Sequence, residues 1–332
     1  MKHVFVINSH TTFLTAMGTV EYLRLKDEDV IFIYTRNYSN EITHVPFKVV
    51  EGTAITDASK NIGKDYEGFI RKVDDFIDQN IKGKYSLFVP HFQNYCFQIL
   101  YTHKRCRRAS YIQEGGPAVN KMYENDVPII ERTKSFIRHA ILRRRTFECK
   151  WYKKGTLYKQ HTLDSYAINN VYFHSLPSHN HIVKWPVEKL NIKIIADYPI
   201  FIFDGHVSNG FVEPNIYIQL CKEIISLYAK GKNYVKFHPA QNREERNSII
   251  GSFSEKGYSI EVMSDDIPVE YVIIQFKKLT FVGFTSSLLY YAHDYGHNVC
   301  CCEKLLLENS QAYKKRVDES GIQLFSEMYG CY

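Results

Sequence analysis

No stretch of the 332 residues approaches the roughly 18 consecutive apolar positions that a membrane-spanning helix needs, so the chain reads as having no transmembrane segment. The apolar part of Met1-Lys2-His3-Val4-Phe5-Val6-Ile7-Asn8 is also too short for a secretory leader. It reads as a first β-strand, and a cytoplasmic location is the expectation. Charge of one sign is equally scarce: 42 Lys and Arg against 36 Asp and Glu leave a net +6. That balance suits an acidic ligand or an anionic surface and is too small to argue for nucleic acid. The eight cysteines show no paired zinc-ligand spacing, and the run Cys300-Cys301-Cys302 cannot all pair, so they read as reduced thiols. The spacing GxGxxG, internal repeats and low-complexity tracts are missing too. A hydrophobic fraction of 45% with 23% charged residues excludes disorder.

What is present is alternation. Short β-branched or aromatic runs exchange with longer stretches of helical period, the pattern of βα units around a parallel sheet. Strands are predicted near 3–8, 29–34, 46–50, 85–90 and 109–113, with helices at 13–24, 57–80 and 93–103 and helical character over 129–142. The pattern weakens from Arg143 to Trp185, then resumes with strands near 200–204, 232–237, 258–262, 279–283 and 298–302. Helices near 214–229, 241–251, 268–276 and 286–294 separate them. The predicted organisation is an α/β chain of two Rossmann-like domains, 1–145 and 191–308, joined by a linker region at 146–190. A C-terminal helix within 309–332 is expected to pack back across the molecule.

Open α/β sheets bind ligands beyond the carboxyl ends of their strands, so residues that follow strands are the candidates. Asn8-Ser9-His10-Thr11-Thr12 follows the first strand. Helix capping accounts for the hydroxyls, and a hydroxyl with an imidazole could equally bind a sugar. The fifth strand ends in Tyr111-Ile112-Gln113-Glu114-Gly115-Gly116-Pro117. Glu114 there can accept a proton from a hydroxyl, and Gly116 lets a bulky ligand approach the backbone; an ordinary turn with a solvated Glu has the same sequence.

In the second half, Asp204-Gly205-His206 begins a polar loop of the kind that can wrap a nucleotide. Tyr234-Val235-Lys236-Phe237-His238-Pro239 delivers His238 to a strand end, where an imidazole can donate to a phosphate leaving group or protonate it. Pro268-Val269-Glu270 opens a helix with a carboxylate able to clasp ribose hydroxyls. Thr285-Ser286-Ser287 sets hydroxyls at a helix N-terminus, a natural anion site. One Ser suffices for a cap, and the second is left unexplained by capping.

Taken in order, Gln113-Glu114-Gly115, Lys236-Phe237-His238-Pro239, Pro268-Val269-Glu270 and Thr285-Ser286-Ser287 resemble the motif series of bacterial two-domain sialyltransferases. These act on lipooligosaccharide, O-antigen or capsule, and the resemblance runs from near residue 110 to near 290. It implies a GT-B fold, two Rossmann-like domains facing a central cleft, and an inverting reaction that needs no metal or other cofactor. By the same resemblance Glu114 is the general base and His238 the group that stabilises or protonates the departing CMP. CMP-sialic acid would be held by Gly205, Lys236, Pro239, Glu270, Thr285, Ser286 and Ser287. The acceptor, a galactose-containing glycan end, lipid-linked or free, would meet Asn8, Ser9, His10, Gln113, Gly115 and Gly116. The family has two acidic residues before its Gly where this chain has Gln113 and Glu114, so which position carries the base stays open. Another CMP-activated acid such as Kdo or legionaminic acid, or another nucleotide sugar, is an alternative donor. A non-catalytic glycan-binding or assembly protein is the alternative that Gln113 keeps alive. The basic, aromatic stretch from Arg138 to Lys159 is expected either to rest on the inner membrane or to be a solvated linker.

Overall fold

A computed structural model describes residues 1–40, 42–59, 65–92, 94–116, 130, 133, 163–173, 178–187, 190–320 and 323–330 of the chain. It divides into two compact units, Met1–Pro186 and Val187–Tyr332.

The first unit is built on strands β1 (Lys2–Ile7), β2 (Val30–Tyr34), β3 (Lys48–Glu51), β4 (Tyr85–Val89), β5 (Cys106–Ile112), β6 (Leu163–Ala167) and β7 (Ser178–Ile182). All pair in parallel, in the order β3-β2-β1-β4-β5-β6-β7. Every residue of β2 and β4 is buried, as are Val4 to Ile7 of β1. That explains why these strands read as continuous apolar runs and not as alternating ones. Helices α1 (His10–Tyr22), α2 (Thr53–Ala58), α3 (Tyr66–Asn80) and α4 (Tyr95–Thr102) accompany them. On α3, Phe69, Ile70, Val73 and Ile77 form the buried face at helical spacing. Close to the unit's end, Trp185 donates its indole N–H to Thr15 of α1 at 3.0 Å. A Cβ on Gly18 would lie 2.2 Å from the Lys184 carbonyl oxygen, so only glycine lets α1 approach the chain there.

Two expectations change here. The predicted linker 146–190 contains β6 and β7, which extend the first sheet, and the chain leaves the unit only after Pro186. The predicted helix 57–80 is two, α2 and α3, with Asp65 capping the second by accepting from the Gly68 amide. The helical reading of 129–142 and the basic stretch 138–159 lie outside the described residues.

The second unit repeats the plan with β8 (Ile200–Phe203), β9 (Lys232–Phe237), β10 (Ser259–Val262), β11 (Thr280–Gly283) and β12 (Asn298–Cys301), ordered β10-β9-β8-β11-β12 and again parallel. Its helices are α5 (Pro214–Tyr228), α6 (Arg243–Glu255), α7 (Val269–Gln275), α8 (Ser287–Asp294), α9 (Glu303–Asn309), α10 (Gln311–Ser320) and α11 (Phe325–Tyr329). Phe201, Phe203, Tyr217, Ile224, Val235, Phe253 and Val282 join one buried cluster, each worth about 1.5–3 kcal/mol relative to exposure. The expected single C-terminal helix within 309–332 is two, α10 and α11, and Ser310 starts the first. The Ser310 hydroxyl donates to the Phe211 carbonyl and accepts from the Tyr313 amide, which starts a new helix against the same unit.

In both sheets the chain winds outward on one side of the first strand and then returns to the other. The switch points lie between β1 and β4 and between β8 and β11, where such folds bind ligands. Gly283 is required at the second: a Cβ would sit 2.7 Å from the Ile202 carbonyl oxygen across the β8–β11 pair. Among the described residues no helix is long and apolar enough to cross a membrane.

Candidate active site

At the first switch point, β1, β2, β4 and β5 end around one carboxylate. Glu114, two residues past β5, accepts from Asn8 Nδ2 at 2.7 Å and from Arg36 at 2.8 Å, both on Oε1. Its Oε2 lies 3.7 Å from His91 Nε2. Burial pushes the His91 imidazole below its ordinary value, opposed by the Glu114 charge, so the ring is neutral at pH 7. Arg36 follows β2 in a left-handed conformation (φ 57°), as does Asn37 (φ 55°). Two such non-glycine residues in succession are strained, and strain of this kind collects at functional sites. Arg36, His91, Thr35, Thr56, Asp57, Asn94 and Phe97 line an adjoining cavity of about 80 Å³.

The other first-unit candidates divide. Gln113 is buried, and its Oε1 accepts from the Ile168 amide at 3.0 Å, so its side chain is turned into the sheet, away from the place Glu114 occupies. Ser9 caps α1 in a reciprocal box with Thr12, which takes up its hydroxyl. Asn8 orients Glu114. His10 packs edge-on to Tyr38, whose hydroxyl lies 3.3 Å from its Nδ1. Gly115 and Gly116 have open space where a Cβ would stand and no positive φ, so nothing within the unit demands glycine there.

At the second switch point, His238 ends β9. The Ala240 amide donates to its Nδ1 at 3.1 Å, which fixes the proton of the neutral ring on Nε2. Burial and the nearby Arg246 hold the imidazole below its ordinary value. A Cβ on Gly205 would come within 2.9 Å of His238 Nδ1, so glycine at 205 is what lets the ring lie against this turn. Arg246 donates to the carbonyls of His238 and Gln241 and stiffens the segment through Pro239.

Thr285, Ser286 and Ser287 lead from β11 into α8. The Ser286 hydroxyl makes no cap bond to the helix, and with the Thr285 amide it favours the ionised form of the Asp204 carboxylate. Thr285 Oγ1 lies 3.1 Å from His206 Nε2 and bonds Tyr313. The Ser287 hydroxyl has no protein partner among the described residues. This leaves the first turn of α8 without a side-chain cap, an arrangement that attracts an anion. Thr285, Tyr290, Glu303, Tyr313 and Arg316 line a neighbouring cavity of about 90 Å³.

Lys236 does not point at this turn. Its Nζ donates to the carbonyls of Ser264 at 2.7 Å and Ile267 at 3.3 Å and lies 3.5 Å from Asp265. It thus fastens the loop that leads to half-buried Glu270 in the first turn of α7. The sequence contains one Asp-x-Asp spacing, Asp27-Glu28-Asp29, which precedes β2 at the opposite strand end, with Asp29 held by Lys2.

Arg36, His91 and Arg246 are not among the predicted site residues, and Asp204 and His206 stand in the predicted polar loop without a role of their own. The strand-end rule reaches Arg36, His91 and Asp204, whereas Arg246 sits on a helix and carries no such signal.

The family model described as Alpha-2,8-polysialyltransferase (POLYST) matches residues 147–299, just under half of the chain. The match includes His238, Glu270 and Thr285-Ser286-Ser287 and ends short of Glu114 on the N-terminal side. No curated protein matches the chain. Among solved structures, a glycosyltransferase involved in lipopolysaccharide biosynthesis, WaaG, is 9% identical with TM-score 0.44 over 98% of this chain and 96% of that one. The E. coli heptosyltransferase WaaC is 10% identical with TM-score 0.44 over 97% and 100%. A UDP-N-acetylglucosamine 2-epimerase from Listeria monocytogenes is 9% identical with TM-score 0.49 over 98% and 83%. Likenesses this distant carry no argument about what the chain does. The family match, together with two parallel-stranded units, supports an enzyme: a bacterial glycosyltransferase of the GT-B fold and of the sialyltransferase kind.

Proposed function

For a glycosyltransferase of that kind, we propose that this chain moves sialic acid from CMP-sialic acid to a sugar hydroxyl on a bacterial surface glycan, with inversion and without a metal. The observation that carries the reading is His238: its proton is fixed on Nε2, and Gly205 keeps room for the ring at a strand end of the sheet from which α8 starts without a side-chain cap. Cleavage of the donor places developing negative charge on the phosphate, where oriented donors contribute most. His238 donates to or protonates that phosphate, Ser287 and the α8 amides bind it, and Glu270 takes the ribose.

Glu114 takes the proton of the attacking hydroxyl, oriented by Asn8 and kept in place by Arg36. A galactose-containing end is one acceptor. Arg36, on a cavity wall beside Glu114, favours a second: an acidic end such as another sialic acid, in line with the name of the matching family. The enzyme is placed in the cytoplasm, with the basic stretch 138–159 resting on the inner membrane.

Incubation of the protein and CMP-sialic acid in EDTA, with galactose-terminated or sialic acid-terminated oligosaccharides, tests this by mass spectrometry of the products. A sialylated product with β-to-α inversion is expected. Transfer only from a donor other than CMP-sialic acid, or CMP binding with no transfer to any acceptor, contradicts it. Loss of sedimentation with anionic liposomes at low salt removes the membrane contact.

A further inference from the structure

Asp204 and His206 flank Gly205, and the roles proposed above use neither. Asp204 leaves the carboxyl end of β8 near the start of α8, with His206 Nε2 between its carboxylate and Thr285 Oγ1, and the Ser286 hydroxyl and Thr285 amide favour its ionised form. Its Oδ2 is buried without a hydrogen-bond partner and stands 3.7 Å from His206 Nε2. The Tyr217 hydroxyl bridges the Asp204 N–H and C=O at 3.0 Å each and fixes this stretch of backbone. The Ser286 hydroxyl makes no cap bond to α8, and the amides of its first turn stay available in front.

The other ionisable groups around the carboxylate do not neutralise it. Tyr217 and Cys221 on α5 and Cys301 on β12 are all pushed up by burial and carry no charge at pH 7. Glu245 on α6 acts on Tyr217 and Cys221. Arg316 on α10 and His238 both hold His206 down, after the larger effect of burial. Among the described residues His206 is the one ion-pair contact of Asp204, and it is a neutral ring at pH 7. A second anion arriving in front of the turn therefore raises the cost of ionised Asp204, on which no cation acts among the described residues.

Resting on the reading of this unit as the donor site, we infer that Asp204 is a positioning residue of the phosphate site. It holds the Thr285-Ser286-Ser287 turn from behind and takes up a proton from solvent when a phosphodiester anion docks in front. The proton settles on Oδ2, which then has a hydrogen to offer toward His206. Burial, larger than the opposing bonds from Ser286 and Thr285, already pushes Asp204 up to about 6, within reach of such uptake near neutral pH.

Cytidine 5′-(methyl phosphate) is a suitable probe, because a phosphodiester keeps one charge from pH 6 to 8. Its isothermal titration into the full-length protein, in two buffers of different ionisation heat, counts protons taken up per ligand. Wild type should take up a fraction of a proton near pH 7, with affinity falling as pH rises from 6 to 8, by at most about tenfold per unit. Asp204→Asn should bind with no uptake and little pH dependence. Ser286→Ala, which removes a bond favouring the ionised carboxylate, should move the midpoint of the pH dependence upward; a purely structural turn would show no such shift. Binding by wild type without uptake, or uptake persisting in Asp204→Asn, overturns the inference while leaving the phosphate site. Absence of binding at every pH overturns both. Proton-linked binding without sialyl transfer overturns only the proposed reaction.

Discussion

Two carboxylates follow strands of two similar sheets, and their surroundings are opposite. Glu114 in the first unit is partly open and faces a cation, with Arg36 and Asn8 both on Oε1. Asp204 in the second unit is enclosed, pushed up to about 6 by burial, and faces a neutral imidazole. One follows the fifth strand of its sheet and the other the first of its own, and they carry different chemistry. An oriented, ionised carboxylate suits removal of a proton from a hydroxyl, whereas a buried one without a cation suits holding a proton behind an anion site.

The comparison breaks most visibly at Glu114. Glu114→Gln should lower acceptor-dependent turnover by about a hundredfold or more, the scale of a general base, with CMP affinity unchanged by titration. A variant that stays active would place the base elsewhere. At Gly205 the effect should be smaller and twofold in kind. Gly205→Ala sets a methyl 2.9 Å from His238 Nδ1, costing about 1–3 kcal/mol as overpacking does. Its thermal melt should drop and kcat should fall, while acceptor KM holds; an unchanged melt would mean the ring moves aside freely.

Stability against pH sharpens the contrast at Asp204. The folded carboxyl keeps its proton up to about pH 6, the unfolded one only to about 4, so this group loses stability as pH rises through that window. His206, lowered to about 4 by burial, loses stability as pH falls from about 6.5, its unfolded value, toward 4. The two slopes oppose each other. Asp204→Asn leaves the His206 slope alone, so its stability relative to wild type should rise between pH 4 and 6, by on the order of 2 kcal/mol in all. Parallel denaturant curves for the two proteins across that range would contradict the buried-carboxyl account. The smallest effect is expected at Arg36. Arg36→Met should lower kcat/KM by about tenfold or less, as a partly exposed pair allows, and more for an acidic acceptor than for galactose; equal losses would remove the case for an acidic acceptor.

Most of the second unit was legible in the sequence to within a few residues, because β8, β9 and β11 are short apolar runs separated by well-formed amphipathic helices. β6 and β7 were not. Ser178-His179-Asn180-His181-Ile182 is the sheet's edge strand, with the polar residues such strands tolerate, and Leu163-Asp164-Ser165-Tyr166-Ala167 beside it mixes polar and apolar residues, so both looked like linker. At the candidate site, the strand-end rule picks out Glu114, His238 and the Thr285-Ser286-Ser287 turn as candidates. It could not reveal that Arg36 meets Glu114 across 78 residues, since the left-handed backbone aiming Arg36 leaves no mark in composition. Nor could it tell that Lys236 is turned to the 264–267 loop, or that Ser286 serves Asp204 and not its own helix.

The division of labour between the two units is tested most directly by CMP release from CMP-sialic acid, with and without acceptor, for wild type, Glu114→Gln and His238→Ala in EDTA. Glu114→Gln should lose acceptor-stimulated release and keep the slow hydrolysis of donor by water, whereas His238→Ala should lose both. Full acceptor stimulation in Glu114→Gln, or undiminished release in His238→Ala, would contradict the assignment of base to the first unit and leaving-group donor to the second.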